Sequence, residues 1–273
     1  MSKGYLVFAQ NSDVDYLKQA VCLAASLKAS GNLEPISVVT NDSLPQEYQH
    51  LFDTVIPIPW GDSSKGSVWK VENRWKLYHV SPYDETIVLD SDVLVTDSLH
   101  NAWKFFSDYD LYFTSSVANF KAEKIVDTAN RKTFIENKLP NVYFGFHYFK
   151  KSDLAYEFYK QLESVVKNYK HYYAIFTPKA TQQFVSMDVS SAISLKILDI
   201  EPLVTCKVYE PIKFVHLKSN VQGLGIFAGS WMDILDCEVT DKLVIGNRVQ
   251  RGIIHYVDEN FLTDDIFERV LKW

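Results

Sequence analysis

Residues 85–95, ETIVLDSDVLV, decide how the rest of the chain is read. A β-branched apolar run is interrupted by Asp90 and Asp92 and resumes as Val93-Leu94-Val95. A central strand of a parallel sheet has both faces covered, so a carboxylate there is costly unless paired or bound to a cation. Residues two apart in a strand point to the same side. Two carboxylates so placed at a strand's C-terminal end grip one hard divalent ion, and Mn²⁺ or Mg²⁺ suits such ligands while leaving positions open for phosphate oxygens. Such strand ends are also where open α/β sheets bind ligands. The competing reading is a strand that ends in a turn capped by both aspartates.

Upstream, residues 4–10 (GYLVFAQ) read as a buried strand followed by polar Asn11, Ser12 and Asp13. Residues 15–29 carry apolar side chains at helical spacing and stop at Gly31. Residues 35–40 (PISVVT) and 54–58 read as further strands. Strand, helix and strand within about forty residues signal a βαβ unit and a parallel sheet. Residues 61–67 form a Gly/Ser-bearing loop, and residues 71–80 a helix stopped by Ser81-Pro82. Downstream, the pattern predicts a helix over 97–106 capped by Asp97, a strand over 110–117, an irregular stretch over 118–140, and a strand over 141–149 interrupted by Gly145. A long helix from Ser152-Asp153 towards Tyr172 follows, then a helix over 188–197, strands near 204–209 and 214–217, a Gly-rich loop over 221–229, the run RGIIHY at 251–256 and a final helix.

Composition bounds the function. The 273 residues are 47% hydrophobic and 23% charged, a globular balance, with no repeat and no composition shift that would cut two domains. A net charge of −6 disfavours nucleic acid as a partner. Three scattered cysteines, Cys22, Cys206 and Cys237, fit a reducing compartment better than a disulfide framework. No secretory signal or membrane-length apolar run is read, so the expected location is cytoplasmic, with no integral membrane segment. Aromatics make up 14% of the chain. Most are expected in the core. Trp60, Trp69, Trp75, Trp231, Tyr143 and Phe144 are candidates for stacking on a base or sugar, with Trp69 and Trp231 favoured for a cleft by their polar or Gly-bearing surroundings.

Residues 83–99, YDETIVLDSDVLVTDSL, resemble the metal-binding segment of nucleotide-sugar glycosyltransferases with the GT-A fold. The likeness is greatest to the glycogenin-like and lipopolysaccharide galactosyltransferase-like group, family eight, whose segment has the form YDKVLYLDxDVLV. It extends in outline to ENRWKLYHVSPY before it and to DSLHNAWKFF, NVYFGFHYF and a late histidine after it. The resemblance implies an α/β fold with a mixed, mainly parallel, Rossmann-like central sheet flanked by helices. It implies one domain over 1–273, with a nucleotide-binding half about 1–117 and an acceptor-side half about 118–273.

Residue by residue, the resemblance makes Asp90 and Asp92 metal ligands and His255 the third, with Ser91 between the aspartates in the donor site. Arg74 resembles the arginine of the preceding helix that contacts the donor. A guanidinium is apt for phosphate or sugar hydroxyls. Ala9, Gln10 and Asn11, with Asn41 and Asp42, fall where the family cradles base and ribose. They read equally as strand-end caps. Gly145 resembles the glycine of the family's FNxGV strand beside the donor sugar, although in Tyr143-Phe144-Gly145-Phe146-His147 an aromatic replaces the small polar residue expected there. Asp188 resembles the acidic residue that opens the family's sugar-contacting helix. It reads either as a general base or as an N-cap. Lys218 could approach a phosphate.

The implied activity is metal-dependent transfer of a sugar from a nucleotide-sugar donor, UDP-sugar favoured, to a carbohydrate or other hydroxyl acceptor, with retention of configuration. One alternative is a nucleotidyltransferase acting on sugar phosphates, disfavoured because AQNSDVD lacks a Gly-rich basic loop. The other is a non-catalytic carbohydrate-binding protein on the same scaffold. A Rossmann dehydrogenase would need a GxGxxG that the chain lacks.

Overall fold

The computed structural model describes residues 1–67, 70–125, 131–179, 184–217 and 230–273. In chain order its elements are β1 (Lys3–Phe8), α1 (Tyr16–Ala29), β2 (Ile36–Val39), β3 (Thr54–Ile56), α2 (Leu77–Val80), β4 (Glu85–Asp90), β5 (Val93–Val95), α3 (His100–Phe106), β6 (Leu111–Thr114) and α4 (Lys132–Asn137). There follow β7 (Tyr143–Lys150), α5 (Asp153–Lys167), α6 (Tyr169–Phe176), α7 (Met187–Leu198), α8 (Glu201–Val204), β8 (Phe214–His216), β9 (Cys237–Val239), β10 (Leu243–Ile245), β11 (Arg248–Val249), β12 (Ile253–His255) and α9 (Asp264–Val270). Among the described residues, the main sheet has the order β3-β2-β1-β4-β7-β6. The first four strands run parallel, whereas β7 pairs antiparallel with both β4 and β6.

Alternation along the strands divides the core. Tyr5, Val7, Ile87 and Leu89 face one apolar cluster, with α1 and α3. Leu6, Phe8 and Val88 face the other, with α5 and α7. The aromatic surplus is mostly spent here: Tyr5, Tyr112, Tyr148, Tyr159, Phe113 and Phe158 are among the largest fully buried side chains.

The stretch ETIVLDSDVLV, residues 85–95, does not run as one strand. It breaks after Asp90, and β4 and β5 enter different sheets. β5 joins β12 and β8, with Val93 opposite His255 and His255 opposite His216. The aspartates therefore sit at a corner between two sheets.

Other expectations need correction. Residues 71–80 are not one helix. A 3₁₀ turn at Arg74–Lys76 leads into the short α2, because the Asn73 side chain is committed to the preceding loop. Asp97 does not cap α3, whose N-cap is Leu99. Asp97 pairs instead with Arg251 at 3.3 Å. Residues 118–140 include α4. β7 runs through Gly145 without ending, but its pairing with β6 is irregular there, with Phe113 opposite His147 and the next residue, Thr114, opposite Tyr143. The long helix divides into α5 and α6 at Asn168, which is both C-cap and N-cap. Residues 204–209 form no strand, and α8 ends at Val204.

Candidate active site

β4 carries Asp90 to its C-terminal end, and the turn that follows presents Asp92. β12 delivers His255 from 163 residues later, with its Nε2 at 3.0 Å from Asp92 Oδ2. One ligand atom from each of Asp90, Asp92 and His255 lies within 4.8 Å of the others. Two carboxylate oxygens and an imidazole nitrogen form a donor set apt for Mn²⁺ or Mg²⁺.

The surroundings separate the two carboxylates. Burial raises the Asp90 pKa, and the neighbouring charge of Asp92 adds to this, although the Arg74 guanidinium bonded to Asp90 Oδ1 partly opposes it. Asp92 is also penalised by burial, but the charge and hydrogen bond of His255, helped by the Arg74 charge and a backbone hydrogen bond, hold it below the usual carboxylate range. Arg74 Nε is buried and makes no hydrogen bond among the described residues.

Gly145 has a steric role. A Cβ on it would lie 2.7 Å from Asp90 Oδ2 and 3.4 Å from His255 Cε1, the first closer than real Cβ atoms come. β4 and β7 pair from Glu85↔Lys150 to Leu89↔Phe146, and just beyond the last pair the Asp90 carboxylate lies against Gly145. Only a residue without a side chain leaves the carboxylate its place.

A cavity of about 360 Å³ opens here. Its wall includes Tyr16, Gln19, Arg74, Asp90, Asp92, Tyr143, Phe144, Gly145, Asp188, His216, His255 and Glu259. Asp188 follows the N-cap Ser186 on α7 and is not itself the cap. Both of its oxygens are engaged: Arg131 Nη1 donates to Oδ2 at 2.6 Å, and the Phe144 N–H to Oδ1 at 2.8 Å. Arg131 also donates to Asn141 Oδ1 and Val142 O, and its guanidinium lies 3.9 and 3.8 Å from the ring centres of Phe134 and Tyr143. A carboxylate so held suits a hydrogen-bond acceptor better than a general base. Sequence reasoning missed Arg131, which no motif spacing singles out, and also Gln19, Tyr16, His216 and Glu259.

The other candidates among the described residues do not line this cavity. Ser91 donates to Gln19 Oε1 at 3.1 Å. Ala9 N–H donates to Val39 O, and the Asn11 N–H donates to Asp42 Oδ2 at 2.7 Å. Asn41 Oδ1 accepts from Ile58 N–H. These contacts tie the ends of β1 and β2 to each other and to the segment after β3. Gln10 bonds Asp62 and Asn73. Lys218 and Trp69 lie outside the described residues. Trp231 is core rather than cleft: it is 2% exposed, and its indole N–H donates to Tyr256 O. A larger cavity, about 610 Å³, lies between the end of α1, β5, β10 and Trp273. Its Arg251 and Arg269 are paired with Asp97 and Asp265, and among the described residues it gathers no comparable ligand set.

No family model and no curated protein matches the sequence. Solved structures do match. The galactosyltransferase LgtC, solved in complex with donor and acceptor sugar analogs, aligns with a TM-score of 0.54 at 13% identity over 98% of this chain and 95% of that one. The fold is that of the GT-A glycosyltransferases. Mouse xyloside xylosyltransferase 1 matches at TM-score 0.47 and 12% identity, over 76% of this chain and 84% of its own. The glycosyltransferase GlyE of Streptococcus pneumoniae matches at 0.44 and 14%, over 76% of this chain, which spans only 46% of GlyE. Among the described residues no helix is long and apolar enough to cross a membrane.

Proposed function

We propose that the chain is a metal-dependent glycosyltransferase that moves a sugar from a nucleotide-sugar donor, UDP-sugar favoured, to a hydroxyl acceptor with retention. In this reading the chain acts as one domain with a nucleotide-binding half about 1–117 and an acceptor-side half about 118–273. The observation that carries it is the convergence of Asp90, Asp92 and His255 beside a glycine whose missing side chain makes room for Asp90. The donor set fits Mn²⁺ or Mg²⁺, which when bound would supply the positive charge a diphosphate leaving group needs in an acidic protein.

The chain's own groups do the rest. Arg74, bonded to Asp90, holds a fixed cation beside the departing diphosphate. Asp188, oriented by Arg131 and the Phe144 N–H, accepts a hydrogen bond from a sugar hydroxyl and fixes the ring. With both Asp188 oxygens already accepting hydrogen bonds, Asp188 is read as an orienting acceptor rather than a base, which leaves Glu259 as the other carboxylate on the wall apart from the metal ligands. Retention by front-face attack is the part of this reading that the resemblance supports. Tyr143 and Phe144 on β7 and Val185 beside α7 supply an apolar wall that limits water.

Calorimetric titration of UDP with and without Mn²⁺, on the parent and on Asp92→Asn, tests the reading. The parent is expected to bind UDP only with Mn²⁺, and Asp92→Asn to lose that binding. Metal-independent binding indifferent to the substitution would sink the proposal. A panel of UDP- and GDP-sugars would then identify the donor.

A further inference from the structure

Trp60 is 67% exposed and holds a left-handed backbone conformation, φ 56°, that a bulky side chain rarely adopts. The turn around it is built to keep it there. Lys76, 1% exposed, donates from Nζ to the carbonyl oxygens on either side of Trp60, Pro59 O at 2.9 Å and Gly61 O at 2.6 Å, and to Asn73 Oδ1 at 2.7 Å. Asn73 Nδ2 in turn bonds Asp62, Ser64 and Gln10. A buried ammonium and a buried amide thus tie down one short turn that carries an exposed indole. Strain held in place by the surrounding structure is a pointer to function.

The ring is not isolated. It stacks on buried Trp75, with centroids 5.7 Å apart and planes 15° apart, and meets His79 edge-on at 5.3 Å. Together with Ser63, Glu163 and Lys167 these rings line a cavity of about 300 Å³. Glu163 and Lys167, one turn apart on α5, form an ion pair at 2.5 Å, and Lys167 Nζ lies 4.9 Å from the Trp75 ring centre. A rigid aromatic plate beside an adjacent carboxylate and ammonium matches a pyranose. Its C–H face packs on the ring, while neighbouring hydroxyls donate to Glu163 and accept from Lys167. Nucleic acid would stack on the ring too, but the chain's charge of −6 opposes its backbone.

We propose that Trp60, Trp75, Glu163 and Lys167 form a saccharide-binding platform, separate from the Asp90–Asp92–His255 centre, that holds a distal unit of a glycan acceptor. The two places are linked through the 3₁₀ turn at Arg74–Lys76. Arg74 pairs with Asp90, Trp75 supports Trp60, and Lys76 clamps the turn. The acceptor role rests on the transferase reading. The binding itself does not.

Saturation-transfer NMR and calorimetry with maltohexaose, cellohexaose and lacto-N-tetraose test it on the full chain. At least one of these is expected to bind the parent. Trp60→Gly suits the left-handed turn, which offsets the lost stacking on Trp75, so it should melt within a few degrees of the parent and bind UDP with Mn²⁺ unchanged, yet bind the saccharide about tenfold or more weakly. Trp60→Phe should retain binding, and Glu163→Gln, which leaves the turn untouched, should weaken it. Absence of saccharide binding to the parent, or equal binding by Trp60→Gly, overturns the platform. If UDP and Mn²⁺ fail to bind while Trp60-dependent saccharide binding persists, the transferase reading falls and the platform stands. The converse result removes the platform alone.

Discussion

Gly145 and Asp188 show how single positions define the cleft. Gly145 lies in an ordinary strand conformation, so alanine would not strain the backbone there. Its Cβ would meet Asp90 Oδ2 at 2.7 Å and displace the carboxylate. Gly145→Ala is therefore expected to keep the parent's far-ultraviolet circular dichroism and to weaken Mn²⁺-dependent UDP binding by about tenfold or more, the scale of loss when a ligand's support is disturbed. Unchanged affinity in calorimetry would show that Asp90 does not hold the metal. Asp90 and Asp92 were legible in the sequence because carboxylates inside an apolar run demand a reason. Gly145 was legible only through resemblance. Arg131 was not legible, because its task depends on Asp188, 57 residues on, and on two rings that flank it only in the folded chain.

At the scale of elements, β7 carries more than strand pairing. His147 lies buried within it. Its Nδ1–H donates to Phe144 O at 2.7 Å, so its Nε2 accepts from Tyr159 O–H at 2.6 Å. Burial pushes its pKa down from 6.5 to about 3, with the nearby Arg74 charge adding to the effect. The folded state thus refuses a proton that the unfolded chain accepts below 6.5, and stability is lost as pH falls from there towards the folded value. From pH 7 to 5 the contribution of this one group is about 2 kcal/mol. Urea unfolding at the two pH values should show that loss in the parent and a smaller one in His147→Gln. Equal losses would mean that His147 is not held neutral. The strands of the main sheet were read from sequence because period two and β-branching are local signals, whereas residues 204–209 form no strand and the short β9, β10 and β11 were not read at all. Helix ends were read less well: Asp97 looked like a cap but is taken by Arg251, and residues 71–73 were lost from a helix because Asn73 is taken by the loop that carries Trp60.

Across the whole molecule, the main sheet separates two apolar clusters but belongs to both. β1 and β4 contribute alternate residues to each, so neither cluster is complete without the other. We expect one cooperative unfolding transition, with far- and near-ultraviolet circular dichroism midpoints coinciding and the calorimetric enthalpy equal to the van't Hoff value. Two resolved transitions would separate the halves about 1–117 and 118–273. The sequence by itself determined the α/β class, the strand–helix–strand succession of the first half and the two aspartates, because propensity, periodicity and a charge out of place in an apolar run act within a few residues. The tertiary structure decided what those aspartates face. The chain breaks after Asp90 and sends β4 and β5 to different sheets, and the second sheet brings His255 back across 163 residues. β7 and α7 close the cleft with Gly145 and with an Asp188 already bonded to Arg131. Such contacts depend on distance in space and on desolvation, neither of which is encoded in local spacing.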